Sequence, residues 1–112
     1  MHELSLAESL RQIIEEKAEQ QGFKRVYKVV LAVGELSCVE PSALAFCFAS
    51  VMAGSPAEGA KLEIVPIPGR GRCSQCWKEQ ALQELYDLCP SCQAPLTIVA
   101  GLEIQLRELE VE

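Results

Sequence analysis

Apolar residues recur at helical spacing between positions 4 and 21, where Leu6, Leu10, Ile13, Ile14 and Ala18 share one side and Glu8, Arg11, Glu15 and Glu19 fall between them. That period predicts an amphipathic helix. Ser5 and Glu8 have capping-box spacing, and Gly22 stands where a left-handed C-terminal cap would sit, so both ends carry a signal. The run RVYKVVLAV over residues 25–33 is rich in β-branched side chains and reads as a strand buried on much of both faces, ended by Gly34. Glu40 and Pro41 open a second helix with Leu44, Cys47, Phe48 and Val51 as its apolar stripe, and Gly54, Ser55 and Pro56 close it. Residues 61–66 then alternate as a short strand, with Leu62 and Ile64 on one side.

The string PIPGRGRC over residues 66–73 interrupts this periodicity with two prolines and two glycines and marks a boundary. Near the far end, LEIQLRELEVE alternates through Leu102, Ile104 and Leu106, then resumes one residue out of phase at Leu109 and Val111, as a bulged strand would. Two strands alone make a marginal sheet, so this third strand is expected to return to the first two. If the first two run parallel, the helix between them is a right-handed crossover and both helices cover one face. The expected fold is α+β: a small mixed three-stranded sheet covered by two helices, with a four-cysteine module inserted. Residues 1–68, completed by the strand within 100–112, form the first domain, and residues 69–99 form the second.

A chain of 112 residues has room for one ordinary domain, or for a small core carrying a metal-stapled module. Sixteen acidic against ten basic residues give a formal charge of −6. No stretch offers the basic face that phosphate neutralisation requires, so nucleic acid is a poor partner. No run approaches the roughly 18 apolar residues of a membrane span, and MHELSLAES lacks the basic and apolar segments of an export signal. The chain is expected in the cytoplasm, without membrane contact, where six cysteines serve as thiols or metal ligands rather than lasting disulfides.

Cys73-Ser74-Gln75-Cys76 and Cys89-Pro90-Ser91-Cys92 are two CxxC pairs separated by twelve residues, the spacing of a zinc ribbon. Two tight loops can turn four soft thiolates onto one tetrahedral ion, and with every position filled by protein no open site remains for a substrate. The expected site is structural zinc. Redox dithiols would need a cysteine at a helix N-terminus, and four thiolates do not by themselves exclude iron. Arg70, Arg72 and Lys78 are placed to offset the charge of the cluster or to be ordinary solvated side chains. Trp77 and Tyr86 are expected to pack over the metal loops, because so small a module has almost no core of its own.

His2 is the only histidine. At position two, the amine of Met1, the amide of His2 and its ring nitrogen can close fused chelate rings around one ion, a set that suits nickel or copper better than zinc. Glu3 can add its amide or carboxylate. The bland alternative is a solvated tail. MHELSLA, GELSCVEPSALAF, GSPAEGAKLEI and the two CxxC pairs together resemble the HypA/HybF family of hydrogenase nickel incorporation proteins, and the resemblance covers essentially the whole chain. It implies that Met1, His2 and Glu3 form the nickel site, with Glu40 at the place of a further acidic ligand, and that Cys73, Cys76, Cys89 and Cys92 hold zinc. Cys47 and Met52 are read as core. Cys38, in the loop beside Glu40, is read as packing or, less simply, as a thiol near nickel.

The resemblance implies a metallochaperone that binds Ni(II) at its N-terminus and delivers it to [NiFe]-hydrogenase, and not an enzyme. Its implied partners are the nickel-insertion GTPase of that pathway and the hydrogenase large-subunit precursor, with the chain itself a monomer or weak homodimer. The competing reading is a zinc-ribbon adaptor in transcription or RNA handling, against which the acidic charge counts. A metal-dependent hydrolase lacks the groups it needs, with one histidine and a closed metal site.

Overall fold

The computed structural model describes the backbone of residues 2–112 and the side chains of residues 3–112. In chain order it contains α1 (His2–Gln21), β1 (Val26–Gly34), α2 (Pro41–Val51), β2 (Lys61–Ile67), β3 (Arg70–Cys73), β4 (Glu79–Ala81), β5 (Leu96–Ala100) and β6 (Ile104–Val111). One three-stranded sheet has the order β2-β1-β6 and a second has the order β4-β3-β5. Main-chain bonds run from Val26, at the start of β1, to Pro56, ahead of β2, and from Glu35, just past β1, to Ile67 at the end of β2, so this pair is parallel. Bonds from Glu112 to Arg25 and from Gly34 to Glu103 make β6 antiparallel to β1. The sheet is mixed, as the sequence predicts, and Pro66 is tolerated because β2 is an edge strand.

The chain divides into two compact units. The first comprises residues 1–31, 39–64 and 106–112. Its core is Ala7, Leu10 and Ile14 of α1, Val26, Val29, Val30 and Leu31 of β1, and Leu44, Phe48 and Met52 in and after α2. The buried stripe of α1 is rotated from the expected one: Ala7 is fully buried whereas Ile13 is 39% exposed. Ser5 lies inside α1, which begins three residues before it, so the capping-box reading fails; Gly22 caps the other end at φ 78, its N–H reaching Ala18. Cys47 is half-buried and Met52 buried, in keeping with packing roles. Of the charged residues that fall between the apolar positions of α1, Arg11 donates to the carbonyls of Val51 and Ala53, at 2.7 and 3.0 Å. It satisfies carbonyls at the C-terminal end of α2 and places positive charge at the negative end of that helix.

The second unit comprises residues 32–38 and 65–105. Here β3 pairs antiparallel with both β4 and β5, with a register irregularity between Arg70 and Gly71. None of these strands has a clear periodic signal in the sequence. Leu36, buried at 5% exposure, is wrapped by backbone, its N–H donating to the carbonyl of Gly101 at 2.8 Å. A Cβ on Gly34 would run into that same Gly101 carbonyl, and Gly101 itself has φ 109, so both positions require glycine. The third strand of the main sheet starts at Ile104, and Leu102 stays half-exposed outside it. Burial along β6 falls on Ile104, Leu106 and then Leu109, following the change of phase seen in the sequence.

Candidate metal centres

Each CxxC pair forms the same loop. In the first, Cys73 at the end of β3 donates its N–H to Lys78 and accepts from Trp77, both at 3.0 Å. In the second, Cys89 donates to Ala94 at 2.9 Å and accepts from Gln93 at 2.8 Å. The residue after each second cysteine takes a left-handed conformation, Trp77 at φ 63 and Gln93 at φ 60, which turns the chain sharply enough to close the loop. The four sulfurs of Cys73, Cys76, Cys89 and Cys92 lie within 4.8 Å of one another, with Cys76 and Cys89 Sγ 3.9 Å apart. A tetrahedron with metal–sulfur bonds of about 2.3 Å has edges of about 3.8 Å, so the cluster fits zinc with little adjustment.

The surroundings favour thiolates. Cys73 Sγ accepts from the main-chain N–H groups of Gln75 and Cys76, at 3.3 and 3.4 Å, and its pKa is lowered chiefly by the Cys76 amide. Cys89 is lowered to about 6, chiefly by the Cys92 amide and then by the Gln80 side chain, whose Nε2 donates to its sulfur at 3.3 Å. Cys92 is pushed up to about 12, chiefly through its hydrogen bond with Cys76 and then by burial. Without a cation, four sulfurs this close cannot all carry charge, and a divalent ion removes that conflict. Cys73 and Cys89 are buried with Ala94, and Leu96 packs against them. All four donors come from protein, so zinc here would hold the fold and activate nothing.

One expectation for this module fails. Trp77 is 71% and Tyr86 90% exposed, so neither covers the metal loops; the small core is made by the ligands, Ala94 and Leu96 instead. Arg70 and Arg72, read as offsetting the cluster or as ordinary solvated side chains, each form an exposed ion pair with Glu79 at 3.4 Å. Gln80, a direct partner of a ligand, carries no motif and was legible only as a residue between the two pairs.

Of the residues expected to hold nickel, Met1 and the side chain of His2 lie outside the described residues. Glu3, in the first turn of α1, is 7% exposed, and its Oε2 accepts from the main-chain N–H of Glu40 at 3.0 Å. Glu40 is the N-cap of α2: its Oε1 accepts from Ser42 N at 3.1 Å and from Ser42 Oγ at 2.7 Å. These bonds, the hydroxyl first, hold the Glu40 carboxyl below its ordinary range, against burial and the Glu3 charge. Glu3 and Glu40, 37 residues apart in sequence, are therefore neighbours. Cys38, exposed at φ 63 with its sulfur 3.9 Å from the Leu36 carbonyl, has no part in that contact.

Residues 1–111 match the family described as hydrogenase/urease nickel incorporation, metallochaperone, hypA. The chain belongs to this family. Hydrogenase maturation factors HypA from Azotobacter chroococcum mcd 1 and Dechloromonas aromatica (strain RCB) are 48% and 45% identical to it over 113 residues, each alignment covering all of both chains. The solution structure of the Ni metallochaperone HypA from Helicobacter pylori superposes with TM-score 0.73 at 29% identity, covering 99% of this chain and 97% of that one. Membership decides between the readings left open by the sequence: the protein is a nickel metallochaperone of hydrogenase maturation, with nickel as cargo and a four-cysteine site suited to zinc. Among the described residues no helix is long and apolar enough to cross a membrane.

Proposed function

We propose that this chain takes up Ni(II) at its N-terminus through the amine of Met1 and the amide and ring nitrogens of His2. Glu3 follows through its main-chain amide, and Glu40 stands as an acidic neighbour. The observation that supports this most directly is the Glu3–Glu40 contact, which brings the first turn of α1 to the N-cap of α2 and so gathers the expected residues. Helix geometry helps as well. The first amides of a helix have no partner within it, so those of His2 and Glu3 are not committed to the ladder of α1. A nickel-bound amide that has lost its proton is an anion at the positive end of the helix.

Under this reading residues 1–68 with 100–112 form the nickel-binding domain and residues 69–99 the zinc domain. One site is open and made for exchange, the other closed and made for rigidity. The protein is a carrier and not a catalyst. It passes its ion toward the large-subunit precursor of [NiFe]-hydrogenase in concert with a nickel-insertion GTPase, in the cytoplasm, where a reducing environment disfavours disulfides, and none joins its six cysteines.

The test is to titrate nickel, at neutral pH, into the untagged protein, a form with a few residues added before Met1, and His2→Ala. The extended form and His2→Ala are expected to lose tight binding with zinc content unchanged. Affinity and visible spectra equal to those of the untagged protein would remove the amine and the imidazole from the site.

A further inference from the structure

Glu3 is the one buried charged residue among the described residues, and its environment separates two roles that the sequence leaves merged. A carboxylate that binds an exchangeable ion must face the ion and be free to leave it. Glu3 instead points its Oε2 at the main-chain N–H of Glu40, at 3.0 Å, in a partly buried contact. That N–H belongs to the N-cap of α2, whose own side chain is turned the other way, onto the N–H and hydroxyl of Ser42. The Glu40 N–H is satisfied by α1. Eight residues further along α1, Arg11 satisfies the carbonyls of Val51 and Ala53 at the other end of α2. One helix thus ties down both ends of the other, with each charge matching the sign of the helix dipole it meets.

We propose that the Glu3 carboxylate is a positioning group and not a nickel ligand: it straps the first turn of α1 to the N-cap of α2 and so holds the chain end in the arrangement that receives nickel. This inference rests on the N-terminal nickel site proposed above. Residue 3 contributes its main-chain amide to that site, and the side chain serves as a hydrogen-bond acceptor elsewhere. Because the strap needs an acceptor and not a charge, a glutamine side chain can replace it, since its amide oxygen occupies the same place. An apolar side chain of similar size cannot. It leaves the Glu40 N–H orphaned and the first turn free to fray, and apparent affinity then falls with the fraction of chains that hold the competent arrangement.

The experiment compares Glu3→Gln and Glu3→Met in the full-length, zinc-loaded protein, with His2→Ala in parallel. Nickel binding is followed by titration and visible absorption, and the Glu40 amide resonance by NMR. Glu3→Gln should bind within about threefold of the parent with the same visible band. Glu3→Met should bind about tenfold more weakly, as expected for one orphaned amide, and shift the Glu40 amide resonance. Glu3→Gln falling as far as Glu3→Met, or altering the visible band, would make the carboxylate a ligand and overturn the proposal. Parental affinity in Glu3→Met would overturn it too. Should Glu3→Met not fold, the Glu3→Gln spectrum alone still decides between ligand and acceptor. Nickel binding that survives His2→Ala would refute the underlying site, whatever the Glu3 variants do.

Discussion

Replacing Gln80 by leucine should weaken zinc binding about tenfold while leaving the fold intact. The donors to Cys73 are main-chain N–H groups, which no substitution removes, whereas Cys89 takes one of its bonds from the Gln80 amide at 3.3 Å. The loop around Cys89 is closed by main-chain bonds with Gln93 and Ala94, so leucine takes away one donor and no scaffold. A hydrogen bond to a charged acceptor contributes about 1.5–3 kcal/mol. Gln80 is half-buried, which argues for the lower end and hence for about tenfold, at the bottom of the range seen for partners of metal ligands. Competition against a zinc chelator of matched affinity at pH 7 measures the difference directly. Acid should also act sooner. Cys89 is depressed from an ordinary 9.0 to about 6, so the stability gained from its thiolate is present above the ordinary value and lost as pH falls through the depressed one. Without Gln80 that loss moves to higher pH. An affinity within about twofold of the parent would show that the main chain alone sets the thiolate, and the argument for Gln80 would be wrong.

Gly34→Ala should cost about 3 kcal/mol, because the new Cβ meets the fixed backbone of Gly101 and strains the Gly34–Glu103 and Leu36–Gly101 bonds; chemical denaturation followed by circular dichroism checks this, and a loss below about 1 kcal/mol contradicts it. Glu40 should titrate below the ordinary glutamate value of 4.5, and Ser42→Ala should raise its midpoint, read by carboxyl NMR; its capping contribution is present above the ordinary value and fades as pH falls through the depressed one, and an unmoved midpoint would discount the Ser42 bonds. Stripping zinc with excess chelator should melt β3, β4 and β5, since the metal supplies on the order of 10 kcal/mol in modules of this kind, while α1 and α2 keep their helical signal; loss of both together would contradict independent stability of the first unit.

What the sequence disclosed tracks how local each cause is. The strand over residues 26–34 and the helix behind Pro41 were readable because β-branched density and a proline at the first turn act within a few residues. The zinc ligands were readable because two short loops fix the chemistry by spacing alone. The small sheet of β3, β4 and β5 was not: its residues, RGRC, EQA and LTIVA, are too short for a period to emerge, and they pair because the metal loops bring them together. Ser5 and Glu8 show the opposite error, a correct local motif displaced by a helix that starts earlier. Trp77 is expected over the metal loops because the module has almost no core of its own, but it sits in a left-handed turn and is 71% exposed.

Arg11 and Glu3 explain why the face of α1 was misread in a way that matters for function. Counted by hydropathy, Arg11 belongs with the solvated positions, and Glu3 is merely acidic in a first turn. Their partners lie 37 or more residues away, at the two ends of α2, so no window along the chain reveals them. With nickel taken up at the chain end as proposed above, the consequence is a division of labour between two metal centres. The closed four-cysteine cluster is rigid because protein fills every position around its ion. The proposed site at the chain end needs no such closure, because α1 is already tied to both ends of α2 by Glu3 and Arg11 without any ion. An ion seated in such a frame can depart without unfolding anything, which is what delivery to another protein requires.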